Sequence, residues 1–199
     1  MNAAPSLRPG TPGLSAGILA GGAGRRFGGQ DKGWIEYRGK PLICWTLDGL
    51  RNQADELLIS ANRNLERYAG LGVPVVRDDA DGFEGPFAGI VALLGAAREL
   101  WLLCLPCDAL HIRSDLAQSM LDRAVTDQAD IVVLADAQGI HPTFSLIRTA
   151  LAADARQCFE AGERAPRRWF ARHALSRLQA PPPLNLNTPE SLAALKSGL

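Results

Sequence analysis

The chain has 199 residues, 47% of them hydrophobic, and its 21 lysines and arginines balance its 21 aspartates and glutamates. That length buries a full core in one compact domain, and zero formal charge supplies no global field to draw the protein to nucleic acid or an anionic membrane. No apolar run nears the ~20 residues that span a bilayer, and the N-terminus lacks the charged-then-apolar order of a signal peptide, so a cytoplasmic protein is expected, with no membrane and no nucleic-acid partner.

Met1 to Gly13 is rich in proline and glycine and holds little that can pack, which predicts a mobile tail over residues 1–13 and a domain over residues 14–199. Short β-rich apolar runs then alternate with helix-like segments. Strands are predicted at Leu14 to Ala20, Glu56 to Asn62, Val73 to Asp78, Leu100 to Leu105, Asp130 to Ala135, Thr143 to Ile147 and near Leu184 to Asn187. Helices are predicted at Pro41 to Arg51, Pro86 to Arg98, Asp115 to Thr126, Arg148 to Ala161, Arg167 to Arg172 and Pro189 to Lys196, several opening on a first-turn proline or a capping side chain. The runs at Leu100 and Asp130 are apolar nearly throughout, as in a parallel sheet covered on both faces. The fold class is therefore α/β, a doubly wound, mostly parallel sheet in a three-layer α/β/α sandwich.

Such sheets bind ligands at the carboxyl ends of their strands, where this chain places its polar and glycine-rich punctuation: Gly21 onward, Asn62, Asp78 and Asp108. The segment from Gly21 to Gly33 is a loop suited to phosphates. Its glycines allow positive φ and close approach of amides to an anion, and Arg25, Arg26 and Lys32 add mobile charge. It does not run straight into a helix as a dinucleotide fingerprint does, and Lys32 is followed by Gly33 rather than the Ser or Thr of a Walker A loop. Three cations suit a triphosphate.

Asp108 closes an otherwise hydrophobic strand, where an ionised carboxylate needs a cation or strong donors; Mg²⁺, which takes one or two carboxylates plus phosphate oxygens, suits it, and a turn cap is the plainer reading. Asp78, followed by Asp79 and Asp81, can accept from a purine edge or a ribose, or form an ordinary acidic turn. His141 faces a substrate or fixes a turn ahead of its strand. Asn185 and Asn187 alternate onto one face beside a Thr188-Pro189 helix start, leaving two amides for a phosphate or a metal-bound water. The arginines at 164, 167, 168, 172 and 177 read as a solvated face or as a dock for an anionic tail or partner. Cys104 and Cys107 have zinc-knuckle spacing, yet with no second Cys or His pair they read as reduced core residues.

Taken in order, Leu19-Ala20-Gly21-Gly22 with Arg25-Arg26 and Gly29-Gln30-Asp31-Lys32-Gly33, then Ala61-Asn62-Arg63, Gly85-Pro86-Phe87-Ala88-Gly89, Pro106-Cys107-Asp108, His141-Pro142-Thr143 and Asn187-Thr188-Pro189-Glu190, the chain resembles the molybdenum cofactor guanylyltransferases, the MobA type of nucleotidyltransferase. The resemblance implies a Rossmann-like enzyme that joins GMP from GTP to the terminal phosphate of molybdopterin and releases pyrophosphate. It implies GTP contacts at Leu19, Ala20, Gly21, Gly22, Lys32, Ser60, Asn62, Asp78 and Asp108, with Mg²⁺ on Asp108 and the pterin near Asn185 and Asn187. Catalytic charge would come from Arg25, Arg26, Lys32 and Asp108. Ser60 departs from the pattern, since relatives often carry Asn there, and it shortens one nucleotide contact. Proteins that insert molybdenum and that chaperone molybdoenzymes would be partners of a monomer. The alternatives are a cytidylyltransferase acting on the same pterin and a non-catalytic carrier of nucleotide or molybdopterin.

Overall fold

The computed structural model describes residues 12–22, 28–78 and 85–185. Its centre is a seven-stranded sheet built from β1 (Leu14–Leu19), β4 (Glu56–Ser60), β5 (Val75–Val76), β6 (Trp101–Pro106), β8 (Ile131–Asp136), β9 (Gly139–Arg148) and β10 (Leu175–Gln179). The order is β5-β4-β1-β6-β9-β8-β10. Every neighbouring pair is parallel except those of β9, which runs antiparallel to both β6 and β8.

Alternation of side chains explains why these strands are apolar throughout. Leu103 and Leu105 of β6 and Val132 and Leu134 of β8 enter one core with α1 (Leu42–Leu50) and α4 (Leu116–Thr126). Leu102, Cys104, Ile131 and Val133 enter the opposite core with α3 (Pro86–Ala96), α5 (Ala152–Glu160) and α6 (Pro166–Phe170). The result is the predicted three-layer sandwich. Burying each large side chain such as Met120 or Phe87 contributes about 1.5–3 kcal/mol, so both faces are well anchored.

Several elements differ from expectation. The third strand shrinks to Val75–Val76. The strand expected at Thr143 begins at Gly139, because residues 136–139 form a tight turn that pairs β9 back on β8, with a register shift between Val133 and Leu134. The helix expected from Arg148 starts only at Ala152, after a 3-10 turn at Thr149–Leu151, because β9 holds Arg148 opposite Trp101. Five further strands and α-helices were not expected: β2 (Glu36–Tyr37) paired with β3 (Lys40–Pro41), α2 (Leu65–Ala69), β7 (Ala109–Leu110) and β10. Most of the expected tail, the acidic residues 79 and 81 and the last expected helix, Pro189 to Lys196, lie outside the described residues.

Candidate active site

β1 is the strand at which the order reverses, with β4 on one side and β6 on the other, and its carboxyl end is level with theirs. Leu19 pairs with both Ser60 and Pro106. The ladder continues one step further, because the Ala20 amide donates to the Ser60 carbonyl (2.8 Å) and the Cys107 amide to the Leu19 carbonyl (3.1 Å). Three chain segments therefore leave the sheet side by side, carrying Gly21, Asn62 and Asp108 to the crevice of a topological switch point.

On the β4 side, Asn62 Nδ2 donates to Asp78 Oδ1 (2.7 Å) and the Asp78 amide donates to Asn62 Oδ1 (3.2 Å). This reciprocal pair fixes both side chains. A Cβ on Gly21 would lie 3.6 Å from Asn62 Nδ2 and 3.7 Å from Asp78 Oδ2, so the bare backbone of Gly21 borders the pair. Ser60 is buried, with its Oγ lacking a hydrogen-bond partner among the described residues, and it packs against Gly89 in the first turns of α3.

On the β6 side, Asp108 is 1% exposed and Lys32 Nζ stands 2.5 Å from its Oδ2. A carboxylate buried this deeply requires a cation or several donors, and the lysine of the glycine-rich loop meets part of that demand. The C-terminal strand β11 (Leu184–Asn185) pairs antiparallel with β7 and sets Asn185 opposite Ala109, the residue after Asp108. The Thr46 hydroxyl donates to the Ala109 carbonyl (3.1 Å) and ties α1 to the same turn. Asn185 Oδ1 is buried without a hydrogen-bond partner among the described residues.

The far end of the loop is held by groups that sequence patterning did not single out. Gly28 and Gly29 have φ of 61° and 83°, the left-handed region that glycine enters freely. Asp31 then accepts from the Gly33 amide (3.3 Å), Asn64 Nδ2 (2.8 Å) and the Tyr68 hydroxyl (2.7 Å). A Cβ on Gly33 would meet the Tyr68 hydroxyl at 2.4 Å, so close packing against Tyr68 requires glycine there. Burial, then the neighbouring Cys107 and the hydrogen bond to Asp31, raise the Tyr68 pKa above its ordinary value, so the phenol stays a donor. Arg63 donates to the carbonyls of Gly22 (3.1 Å), Gly29 (2.8 Å) and Gln30 (2.9 Å). The only sequence signal for Arg63 was its place in the Ala61-Asn62-Arg63 motif.

Leu19, Ala20, Gly21, Gly22, Ser60, Asn62, Asp78, Lys32, Asp108 and Asn185 thus all lie at or beside the carboxyl ends of β1, β4 and β6. Arg25, Arg26 and Asn187 lie outside the described residues. His141 is inside β9 rather than ahead of it, opposite Leu134, with Nε2 2.9 Å from Asp136 Oδ2 across the turn. Cys104 and Cys107 are free and buried; burial pushes the Cys104 thiol up to about 12 and raises that of Cys107 as well. No cluster of three or more metal-ligating side chains occurs among the described residues.

Residues 16–178 match the model of the MobA-like NTP transferase domain. The molybdenum cofactor guanylyltransferase of Ectopseudomonas mendocina is 45% identical over 181 residues, which is 89% of each chain. Among solved structures, the molybdopterin-guanine dinucleotide biosynthesis protein A of Archaeoglobus fulgidus superposes with a TM-score of 0.74 at 18% identity, covering 93% of this chain and all of that one. Rv0371C of Mycobacterium tuberculosis, solved in complex with manganese, gives 0.64 at 17% identity, covering 95% of this chain and all of that one. These two structures share the fold. The match over most of the chain, together with the phosphate-type loop and the strand-end carboxylates, makes this chain a member of the MobA-like NTP transferase family.

Proposed function

We propose that this nucleotidyltransferase moves GMP from GTP to the terminal phosphate of molybdopterin, forming the guanine dinucleotide cofactor and releasing pyrophosphate. The observation that carries the reading is Lys32 against buried Asp108, at the same carboxyl end of the sheet as the Gly21 backbone and the Asn62–Asp78 pair. The bare backbone at Gly21 admits a flat ring, and the Asp78 carboxylate beside it accepts hydrogen bonds from a purine edge or ribose. Lys32, with Arg25 and Arg26, meets the triphosphate.

An oxygen of the acceptor's phosphate attacks the α-phosphorus in line; the new O–P bond forms as the bond from the α-phosphorus to the bridging oxygen breaks, and that oxygen leaves on pyrophosphate. The protein positions the two phosphates and neutralises the charge that accumulates on the leaving group. No covalent enzyme intermediate is needed. The donors beside the loop fit a hard divalent cation: the Asp108 carboxylate, and Asn185 Oδ1, an orphaned amide oxygen one strand away. Mg²⁺ held there would supply further neutralisation of phosphate charge. Asn185 and Asn187 are assigned to pterin binding.

Among the described residues no helix is long and apolar enough to cross a membrane; the reaction is assigned to the cytoplasm, in a monomer that exchanges substrate and product with molybdenum-insertion and molybdoenzyme-chaperone proteins. The test is calorimetric titration of the protein with GTP, CTP and ATP in the presence of Mg²⁺. Selective GTP binding, lost in Lys32→Ala, is expected. Preference for CTP would move the assignment to cytidylyl transfer, and absence of binding would favour a carrier.

A further inference from the structure

The glycine-rich loop crosses from β1 to the 3-10 turn at Lys32–Trp34, and one side chain from another element reaches both of its ends. Arg63 Nη2 donates to Gly22 at the start of the loop and to Gln30 near its finish, while Nη1 donates to Gly29. Asp31 Oδ2 lies 3.8 Å from Arg63 Nε. Asp31 is in turn gripped by Asn64 and Tyr68, on the same stretch of chain as Arg63. A glycine-rich segment loses much conformational entropy when ordered, and tethering its two ends reduces what a ligand must still order.

Arg63 donates to three carbonyls and stands beside one carboxylate, so its fork is committed to the protein's own backbone. The trans peptide is planar with C=O and N–H on opposite sides, so turning the Gly29 and Gln30 carbonyls toward Arg63 turns the Gln30 and Asp31 amides away from it. The guanidinium thereby sets which way the last peptides before Lys32 face.

We infer that Arg63 is a positioning residue for nucleotide binding: it fixes the span between the two ends of the glycine-rich loop, and with it the placement of Lys32, without itself touching the triphosphate. The inference rests on the GTP-dependent reading above. A planar fork suits carbonyls in diverging directions, whereas a lysine ammonium on a single stem does not reproduce it.

The experiment measures GTP affinity by calorimetry with Mg²⁺, GTP KM and kcat, and Tm for the unsubstituted protein, Arg63→Ala, Arg63→Lys and Arg67→Ala. Arg67 serves as the control because it lies on α2 with its guanidinium over Trp34 (3.9 Å to the ring centre). Arg63→Ala is expected to raise Kd and KM for GTP about tenfold with kcat at saturating GTP changed less than about threefold, and Arg63→Lys to recover little of the loss, since what is lost is pre-organisation. Arg67→Ala is expected to leave Kd unchanged. Should Arg63→Ala fail to fold, Arg63→Lys carries the test, with about a threefold or larger rise in Kd expected. GTP affinity within about twofold of the unsubstituted protein in a folded Arg63 variant, or an equal loss in Arg67→Ala, overturns the inference. If the unsubstituted protein binds no GTP, the guanylyl reading fails and the inference with it; binding indifferent to Arg63 overturns the inference alone.

Discussion

Two stretches of this chain are dense in positive charge, and the structure uses them in opposite ways. Around the glycine-rich loop the cations join distant pieces of chain: Lys32 reaches Asp108 across the crevice, and Arg63 reaches back to Gly22, Gly29 and Gln30. In the segment from Arg164 to Arg172, by contrast, the arginines meet neighbouring elements. Arg164 donates to the Phe159 carbonyl (2.6 Å) and stacks over its ring, Arg167 donates to the Ile140 carbonyl (2.6 Å), Arg168 lies 4.0 Å from Glu163, and Arg172 donates to Cys158 Sγ (3.2 Å). The first set of contacts ties the crevice together, and the second closes on adjacent structure; on the function proposed above, the first would bear on the reaction and the second on packing.

The comparison breaks most visibly at the crevice. Replacing Lys32 by Ala or Asp108 by Asn is expected to reduce GMP transfer by about 10³-fold, while circular dichroism shows the folded spectrum retained. Removal of Lys32 takes one cation away from buried Asp108, so a modest fall in Tm accompanies the loss. Transfer within tenfold of the unsubstituted rate in either variant would return Lys32 and Asp108 to a purely structural pairing.

Next in size are changes in the grip on the loop. Gly33→Ala drives a methyl into the Tyr68 hydroxyl and is expected to cost about 1–3 kcal/mol in urea unfolding. Tyr68→Phe removes a donor from Asp31 and is expected to cost about 1–2 kcal/mol. Because Phe also removes the atom that Gly33→Ala strikes, the double variant should cost less than the two singles together; additive costs would mean that the two residues do not share one contact. Tyr68 also sets a pH dependence. Its folded pKa is raised, so its contribution is fully present below the unfolded value near 10 and is lost as pH rises above it, where the unfolded chain ionises first. Tyr68→Phe should flatten the alkaline limb of stability against pH.

The contrast between the two regions also shows what a sequence reveals. Strands buried on both faces wrote themselves as unbroken apolar runs, and Asp108 stood out because it ended one. The network behind the loop was hidden for two reasons. Asp31 and Tyr68 meet across 37 residues, a separation that no local pattern encodes, and α2 is five residues long, too short for a helical period. The turn between β2 and β3 uses Arg38 and Gly39, both at positive φ, and an arginine there gives none of the usual Asn-Gly signal. β10 was absorbed into the arginine run because Leu175–Gln179 reads Leu-Ser-Arg-Leu-Gln, which carries Arg177 and lacks the apolar–polar alternation that marks a half-buried strand.

The smallest expected effect is the sharpest probe of the second region. Arg168 is 79% exposed, and Glu163, its ion-pair partner among the described residues, lies at the limit of such a pair, 4.0 Å away. Glu163 is already occupied: the Ala165 and Arg164 amides donate to it at 2.9 Å each, and these bonds, the Ala165 amide first, hold its carboxyl below the usual range. Losing Arg168 therefore takes little from Glu163, and Arg168→Ala should change stability by less than about 0.5 kcal/mol. If this face serves packing alone, the variant also leaves KM for both GTP and molybdopterin unchanged. If it docks the anionic tail of the acceptor, KM for molybdopterin rises while that for GTP stays fixed, and the rise shrinks in high salt because the charge is solvent-facing. A change confined to the acceptor would join the arginine run to the crevice and end the division of labour between the two basic regions.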